Sequence, residues 1–169
     1  MYYSTYSSPI GLITLASDGK SLCGLWSEEN RHIYENMEKD DSLLVFDMTK
    51  EWLNKYFKGE KPSVKEIPLA PIGTKFRQIV WALLLEIPYG ETTTYGELSE
   101  RVKVVLGISK MSSRAIGGAV GHNPISIIIP CHRVIGKSGN LTGYSGGLVN
   151  KIRLLEHEGV KTNQFHIPN

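Results

Sequence analysis

The chain of 169 residues contains little cysteine and no long apolar run. Its two cysteines, Cys23 and Cys131, cannot form a disulfide framework, and both are expected to be free thiols. No apolar stretch approaches the roughly 20 residues that cross a bilayer, and the amino terminus lacks the basic-then-apolar pattern of a signal peptide. The sequence therefore predicts an intracellular, cytoplasmic protein without a membrane segment.

Other absences exclude further classes of protein. There is no internal repeat, no low-complexity tract and no glycine motif that would cradle a phosphate. The amino-terminal half offers only Cys23 and His32 as zinc ligands, whereas zinc normally takes four. We therefore expect no metal and no cofactor, with Cys23 a small core residue in a strand.

The charges are distributed unevenly. Residues 1–70 hold 8 basic and 11 acidic side chains, a net charge of −3, whereas residues 71–169 hold 11 basic and 6 acidic, a net charge of +5. The two values sum to the net charge of +2 for the whole chain. A basic half attracts polyanions, so nucleic acid is the leading candidate partner.

The hydrophobic pattern predicts two domains of an α/β (α+β) protein, residues 1–70 and 71–169. In the first, a helix from Ser42 to Lys58 stopped by Gly59 covers an antiparallel sheet, and Asp18-Gly19 marks a hairpin. The predicted strands are Tyr2 to Tyr6, Gly11 to Ala16 and Leu22 to Trp26. Residues 59–73 contain three prolines and are predicted to be the linker.

The second half is predicted to be mostly helical. Thr74 caps its first helix, and short helices at Tyr95 to Val102 and Ser113 to Gly121 have the arrangement of a helix-turn-helix. Ile125 to Ile129 has the composition of a buried extended segment, and Leu148 to Glu158 is predicted to be the last helix. His122 is expected to cap a helix end.

One short string has the residue types of a nucleophilic site: Pro130-Cys131-His132-Arg133-Val134. The thiolate is the nucleophilic form of cysteine; positive charge lowers a thiol pKa, whereas apolar burial raises it. His132 can take the proton directly or through a water, and Glu158 can orient the imidazole. On this pattern alone, a buried structural thiol beside a core histidine is an equally good interpretation.

The wider sequence resembles the O6-alkylguanine-DNA alkyltransferases, also called methylated-DNA–protein-cysteine methyltransferases. The resemblance extends from about Gly73 to Gly159, through GTKFRQIVWALLLEIPYGETTTYGEL, SSRAIGGAVGHNPISIIIPCHRVIG and LTGYSGGLVNKIRLLEHEG. The amino-terminal half is similar only loosely, in YSSPIGLITLAS and WLNKYFKGE. The resemblance implies a small β-sheet domain with a helix, then a mostly helical, winged-helix-like domain that carries the helix-turn-helix.

The resemblance also implies a single-turnover DNA-repair activity without a cofactor. The substrate is O6-alkylguanine in double-stranded DNA, with O4-alkylthymine as a second substrate to be tested, and the alkyl group ends on the protein's own cysteine. Cys131 is implied as the acceptor, His132 as its proton partner and Glu158 as the residue that holds His132. Asn123 is implied as a brace for the active-site turn, and a monomer is expected to suffice.

The remaining implied roles concern DNA and the damaged base. Tyr95 is implied as the phenol that hydrogen-bonds the guanine, and such a donor would offset the negative charge that develops on the departing base. Arg114 is implied to fill the gap left when the base is flipped out of the duplex. Further DNA or base contacts are implied for Ala115, Gly118, Arg133, Tyr144 and Ser145.

Two features leave structural questions open. The stretch from Val102 to Lys110 is a longer connection than is usual in the family, which puts the geometry of the turn between the two helices in question. Lys103 and Lys110 in it are candidates for phosphate contacts, although exposed lysines are more often only solvated. The glycines beside Arg114 fit a close approach to DNA, or close packing against another helix.

Three other functions compete with alkyl transfer. An alkyltransferase-like protein would bind the lesion without repairing it, but such proteins replace the acceptor cysteine. A thiol hydrolase would use Cys131, His132 and Asn123 as a triad, although adjacent Cys and His match no thiol-protease signature. A transcription factor would use the helix-turn-helix alone and would need sequence-specific binding to undamaged DNA.

Overall fold

The computed structural model describes residues 1–27, 35–144 and 146–167, so His32 and Ser145 lie outside the described residues. The chain divides into two compact units. The first comprises Met1–Ile72 together with Pro124–Ser126, and the second comprises Gly73–Asn123 and Ile127–Asn169. The short segment Pro124–Ser126 joins the first unit because Leu25 exchanges backbone hydrogen bonds with Pro124 and Ser126.

The first unit is built on a sheet rich in β-branched and aromatic residues. Its strands are β1 (Tyr2–Ser8), β2 (Gly11–Ser17), β3 (Leu22–Trp26) and the two-residue β4 (Glu38–Lys39). The spatial order is β3-β2-β1-β4, with β4 parallel to β1 and the other neighbours antiparallel. The three strands predicted from the sequence are confirmed, and Cys23 is buried in β3.

The turn between β2 and β3 has the predicted chemistry. The Asp18 carboxylate accepts hydrogen bonds from the backbone N–H groups of Lys20 and Ser21, at 2.9 and 2.8 Å. Gly19 has a φ of +105°, which favours a residue without a Cβ. Local turn chemistry is therefore sufficient to explain why the chain reverses here.

Helix α1 (Leu44–Phe57) packs against this sheet through an apolar face. Its buried residues recur at helical spacing: Val45, Phe46, Thr49, Trp52, Leu53 and Tyr56. Part of the predicted linker then pairs with β3, because the Leu22 N–H donates to Pro68 and the Ala70 N–H donates to Leu22, each at 2.8 Å. The backbone groups of an edge strand need such partners.

The second unit is mostly helical. Its elements are α2 (Lys75–Leu84), β5 (Thr93–Thr94), α3 (Tyr95–Leu106), α4 (Ser113–Gly121), β6 (Val134–Ile135) and α5 (Leu148–His157). The Thr74 hydroxyl caps α2 as predicted, accepting a hydrogen bond from the Arg77 N–H at 3.2 Å. Strands β5 and β6 pair in parallel. Among the described residues, no helix is both long and apolar enough to cross a bilayer.

The prediction that the third helix ends near Val102 is wrong, because α3 continues for one more turn to Leu106. No helix breaker stands before Gly107, which adopts the left-handed conformation (φ +65°) that ends the helix. The additional turn leaves Val104 82% exposed, and Lys103 pairs with Glu100 at 2.5 Å. The extra residues therefore lengthen a helix, and the connection to α4 comprises residues 107–112.

The prediction of an extended segment from Ile125 to Ile129 is also wrong. All five residues are buried, as expected, but the chain turns at Ile127, whose φ is +72°. This conformation is unfavourable for a β-branched residue and has to be held by its surroundings. The Asn123 side-chain amide donates a hydrogen bond to the Ile129 carbonyl at 2.8 Å and closes this turn. Apolar composition predicts burial but not the path of the backbone.

Candidate active site

A short 3-10 turn, Cys131–Arg133, carries the reactive string. The Cys131 N–H donates to the Ile129 carbonyl at 2.8 Å, and the Arg133 N–H donates to Pro130 at 3.0 Å. Cys131 is only 4% exposed and His132 is fully buried. The backbone therefore holds the thiol and the imidazole rigidly in a water-poor environment.

His132 is paired with Glu158, which lies 26 residues further along the chain. The His132 Nε2 and a Glu158 carboxylate oxygen are 2.8 Å apart, and both side chains are fully buried. A carboxylate accepts hydrogen bonds, so Nε2 carries the proton and Nδ1 presents its lone pair. Nδ1 is buried and has no hydrogen-bond partner among the described residues, which leaves it able to accept a proton.

Arg133 differs from the role implied by the resemblance, because its guanidinium faces the protein interior. Its Nε donates to Glu158 at 2.8 Å, a second guanidinium nitrogen also pairs with Glu158, and Nη1 donates to the Ile87 carbonyl at 2.7 Å. The guanidinium also lies over the Tyr89 ring, 5.8 Å from its centre. These donors bind the Glu158 carboxylate and the Ile87 carbonyl, so the contacts of the Arg133 guanidinium within the protein support the carboxylate, and its contact with DNA stays a prediction.

These contacts determine the charges of His132 and Glu158. Burial by itself would raise the pKa of Glu158, but the hydrogen bonds from His132 and Arg133 and the charge of the guanidinium hold that pKa below its usual range. Burial is the largest influence on His132 and lowers its pKa. Glu158 raises that pKa and the charges of Arg133 and Lys151 lower it, so the pKa of His132 lies below its usual value. At neutral pH the arrangement is therefore a carboxylate shared by a permanent cation and a neutral imidazole.

The thiol is affected by opposing influences. Burial raises the pKa of Cys131, whereas the Asn123 side chain, the Lys151 ammonium and neighbouring backbone N–H groups lower it. Burial is the largest of these effects, so the pKa stays above that of a free thiol. A base is consequently needed to generate the nucleophile, and His132 is the adjacent one.

Lys151 is a site residue that the sequence analysis missed. Its ammonium is fully buried and donates to the carbonyls of Val134 and Thr142, at 2.6 and 3.1 Å. Burial lowers the pKa of Lys151 to about 8, and charge on Cys131 opposes that shift. The sequence contained a signal for the burial of Lys151. It lies three residues from both Leu148 and Leu154 and hence on the apolar face of α5.

A cleft of about 570 Å³ opens beside these groups. Its lining comprises Tyr95, Ser113, Gly117, Gly121, Thr142, Gly143 and Tyr144. Burial raises the pKa of the Tyr95 phenol, a hydrogen bond with Thr142 lowers it, and charge on Cys131 raises it further. Tyr95 and Cys131 are thus electrostatically coupled, and the phenol remains a hydrogen-bond donor at neutral pH.

Helix α4 has one packed face and one open face. Ile116, Ala119 and Val120 are buried, and the Trp81 indole donates to the Ala119 carbonyl at 2.8 Å. On the open face Arg114 and Ala115 are exposed, and a Cβ added at Gly117 or Gly118 would meet no protein atom within 4 Å. These glycines therefore serve no helix packing among the described residues. His122 ends the helix, and its Nδ1 lies 2.6 Å from the Gly118 carbonyl.

The fold and the site together define a helix-turn-helix protein with a buried cysteine next to a buried histidine–carboxylate pair. Two family models match the chain, "6-O-methylguanine DNA methyltransferase, ribonuclease-like domain" over residues 1–71 and "6-O-methylguanine DNA methyltransferase, DNA binding domain" over residues 75–160. The chain therefore belongs to the 6-O-methylguanine DNA methyltransferase family.

Curated relatives and solved structures agree with this assignment. A methylated-DNA–protein-cysteine methyltransferase of Haemophilus influenzae is 44% identical over 95% of this chain and 87% of its own. One from Methanosarcina acetivorans is also 44% identical, over 94% of this chain and 99% of its own. The crystal structure of Mycobacterium tuberculosis OGT in complex with DNA matches with a TM-score of 0.81 and 42% identity, covering 98% of this chain and 95% of that one.

Proposed function

We propose that the protein repairs DNA by transferring the alkyl group of O6-alkylguanine to Cys131. The observation that carries this proposal is a buried thiol, Cys131, directly followed in the chain by the buried His132–Glu158 pair, together with a cleft lined by Tyr95 and by glycines of α4. In the reaction a bond forms between the Cys131 sulfur and the alkyl carbon while the bond from that carbon to guanine O6 breaks. The thiol proton passes to His132 and then to the departing guanine.

The surrounding residues stabilise the charges that this step creates. The Nδ1 lone pair of His132 takes the thiol proton, directly or through a water, and Glu158 stabilises the imidazolium that results. The Lys151 ammonium favours the thiolate. Tyr95 donates a hydrogen bond to the guanine as negative charge develops on it, so the phenol acts mainly in the transition state.

We propose that the open face of α4 contacts double-stranded DNA. Gly118 and Ala115 let the DNA approach the helix backbone, and Arg114 enters the stack as the alkylated base flips into the cleft. Arg114 is free to do so, since the described residues include no hydrogen-bond or ion-pair partner for it. Tyr144 and Ser145 are proposed to contact the flipped base from the cleft side, with Ser145 placed by sequence alone.

The product of this reaction is permanent. A thioether has no good leaving group, so each molecule reacts once and the protein is consumed. The residues proposed to act, from Tyr95 to Glu158, belong to the second unit, which supports residues 71–169 as the DNA-binding and acceptor domain and a monomer as sufficient. None of the steps calls for a cofactor or a metal.

The competing functions fit the site less well. A damage binder without transfer has no use for a cysteine next to a histidine that a buried carboxylate holds. In a hydrolase triad, Asn123 would orient His132, but its amide donates to the Ile129 carbonyl and Glu158 occupies the orienting position. A purely transcriptional role would not explain why Glu158 is buried in hydrogen bonds with His132 and Arg133.

Intact-protein mass spectrometry tests the proposed function. After mixing with a duplex that contains one O6-methylguanine, the protein is expected to gain one methyl group, mapped by peptide analysis to Cys131. Cys131→Ser is expected to gain none while it still binds the damaged duplex. An unchanged wild-type mass with lesion binding intact would instead indicate a damage sensor, and repeated turnover of a model ester would support a hydrolase.

The open face of α4 leads to a second prediction, for Gly118→Ala. The change is expected to stabilise the free protein by about 1 kcal/mol, since alanine favours the helix and its methyl group meets open space. It is also expected to weaken binding to duplex DNA, because the methyl group separates the helix from the duplex. Thermal unfolding and fluorescence anisotropy with a labelled duplex measure the two effects.

Ser99→Ala is the matched control for this variant, because it also improves helix propensity but lies on α3 and not on α4. It is expected to raise the melting temperature with DNA affinity unchanged. If Gly118→Ala raised stability and left affinity unchanged as well, the open face of α4 would not be the DNA-binding surface.

A further inference from the structure

The beginning of α3 holds a polar cluster to which the proposed reaction assigns no role. A Glu97 carboxylate oxygen accepts hydrogen bonds from the Thr93 hydroxyl at 3.0 Å and from the Thr94 N–H at 2.9 Å. In return, the Thr94 hydroxyl accepts from the Glu97 N–H at 3.1 Å. The reciprocal pair is a capping box, and the additional bond to Thr93 extends it one residue before the cap.

The same two threonines form strand β5, which pairs with the segment that follows the nucleophile. Thr93 lies opposite Val134 and Thr94 opposite Ile135, and β6 begins directly after the turn that carries Cys131. On the other side, Thr94 leads into Tyr95, the first residue of α3. Glu97 therefore binds a two-residue ladder that joins the phenol to the backbone of the nucleophile.

We propose that Glu97 is a positioning residue for alkyl transfer, which holds Thr93 and Thr94 so that the Tyr95 phenol is correctly placed relative to Cys131. This inference rests on the proposed function, in which Tyr95 donates to the departing guanine. Tyr95 lines the cleft and is coupled to charge on Cys131, so the two groups share one environment. Misplacing such a group by about 1 Å can slow a reaction by about 10²-fold.

Glu97 acts through geometry and not through direct contact. It is exposed on the outside of α3, and hydrogen bonds from the Thr94 backbone and the Thr93 hydroxyl lower the pKa of its carboxyl group. The carboxylate is therefore ionised, and able to accept both bonds, throughout the neutral range. A glutamine at this position keeps an oxygen acceptor, whereas an alanine loses it.

The test measures single-turnover methyl transfer and damaged-duplex affinity for Glu97→Ala, Glu97→Gln and a capping control. The control is Thr74→Ala, which removes the cap of α2, a helix that contributes no described residue to the cleft lining. Each alanine variant should lower the melting temperature, because each removes a side chain that caps the start of a helix. Glu97→Ala is expected to transfer about tenfold more slowly with affinity nearly unchanged, and Glu97→Gln to recover most of the rate.

A double-mutant cycle with Tyr95→Phe separates positioning from a general loss of stability. If Glu97 acts through the phenol, Glu97→Ala should have little further effect in the Tyr95→Phe background. An undiminished effect in that background, or a Glu97→Ala rate equal to that of Thr74→Ala, would overturn the inference. If one of these two results is obtained while the wild-type protein transfers the methyl group normally, the inference about Glu97 fails and the proposed function stands. If the wild-type protein does not transfer the methyl group, the proposed function itself is overturned.

Discussion

Replacing Glu158 by alanine is expected to abolish methyl transfer and to destabilise the protein by about 3–5 kcal/mol, the usual effect of removing one partner of a buried ion pair. The carboxylate receives two guanidinium nitrogens of Arg133 and the imidazole of His132. Without it, Arg133 is a buried cation with no counter-ion and His132 loses the group that holds its tautomer. Both stability and reactivity therefore depend on the same side chain.

Denaturant unfolding and single-turnover transfer measure these two effects. Glu156→Ala is the matched control, because Glu156 lies at the end of α5, two residues before Glu158, but is exposed. Among the described residues, its carboxylate accepts a hydrogen bond from the Thr162 hydroxyl alone, at 2.7 Å. It is expected to change neither quantity appreciably. Glu158→Gln keeps the volume and one acceptor but not the charge, and should transfer slowly even under conditions where it remains folded. Normal transfer by Glu158→Gln would show that the charge is not needed.

Replacing Lys151 by methionine is expected to slow transfer at neutral pH by about tenfold, because loss of the nearby ammonium raises the pKa of the Cys131 thiol and lowers the thiolate population. The ammonium is the cation that favours the Cys131 thiolate, and it also holds the carbonyls of Val134 and Thr142. In the variant, the pH at which the rate rises should move upward. The exposed Lys161→Met serves as the control and should leave the rate and its pH profile unchanged.

Lys151 also predicts how stability changes with pH. Its pKa is about 8 in the folded protein and 10.5 for an unperturbed lysine, so between these values the unfolded chain binds more protons than the folded one. Stability contributed by this group therefore rises as the pH increases through that window and is constant below it. Denaturant unfolding of the wild type and Lys151→Met at several pH values measures the effect. If the stability difference between them does not change with pH, Lys151 does not titrate as described.

Elements with local signals could be predicted from the sequence. Asp18-Gly19 and Thr74 act on backbone groups within three residues of themselves, so their hydrogen bonds do not depend on the rest of the fold. The end of α3 was predicted too early, because the residues after Val102 carry no apolar core pattern. The breaker is Gly107, and the exposed Val104 and Val105 before it carry no core pattern that would have indicated a helix.

The arrangement of the site could be predicted only in part. The string around Cys131 indicated the chemistry, and the resemblance supplied the pairing of His132 with Glu158, which the structure contains. The directions of neighbouring side chains were not predictable, because in a 3-10 turn successive residues point about 120° apart. Arg133 consequently turns towards Glu158 and Ile87, where the resemblance had implied DNA.

By itself, the sequence determined the resemblance that makes Cys131 the candidate nucleophile, the strands and helices with local start and stop signals, and the basic character of the second half. These properties depend on residue types and on contacts between near neighbours in the chain. The tertiary structure alone decided that the Lys151 ammonium bonds the carbonyls of Val134 and Thr142, that Arg133 clamps Glu158, and that β5 pairs with β6 directly after the turn that carries Cys131. Such contacts join residues whose separation in the chain carries no signal, since burial and orientation are set only when the elements pack.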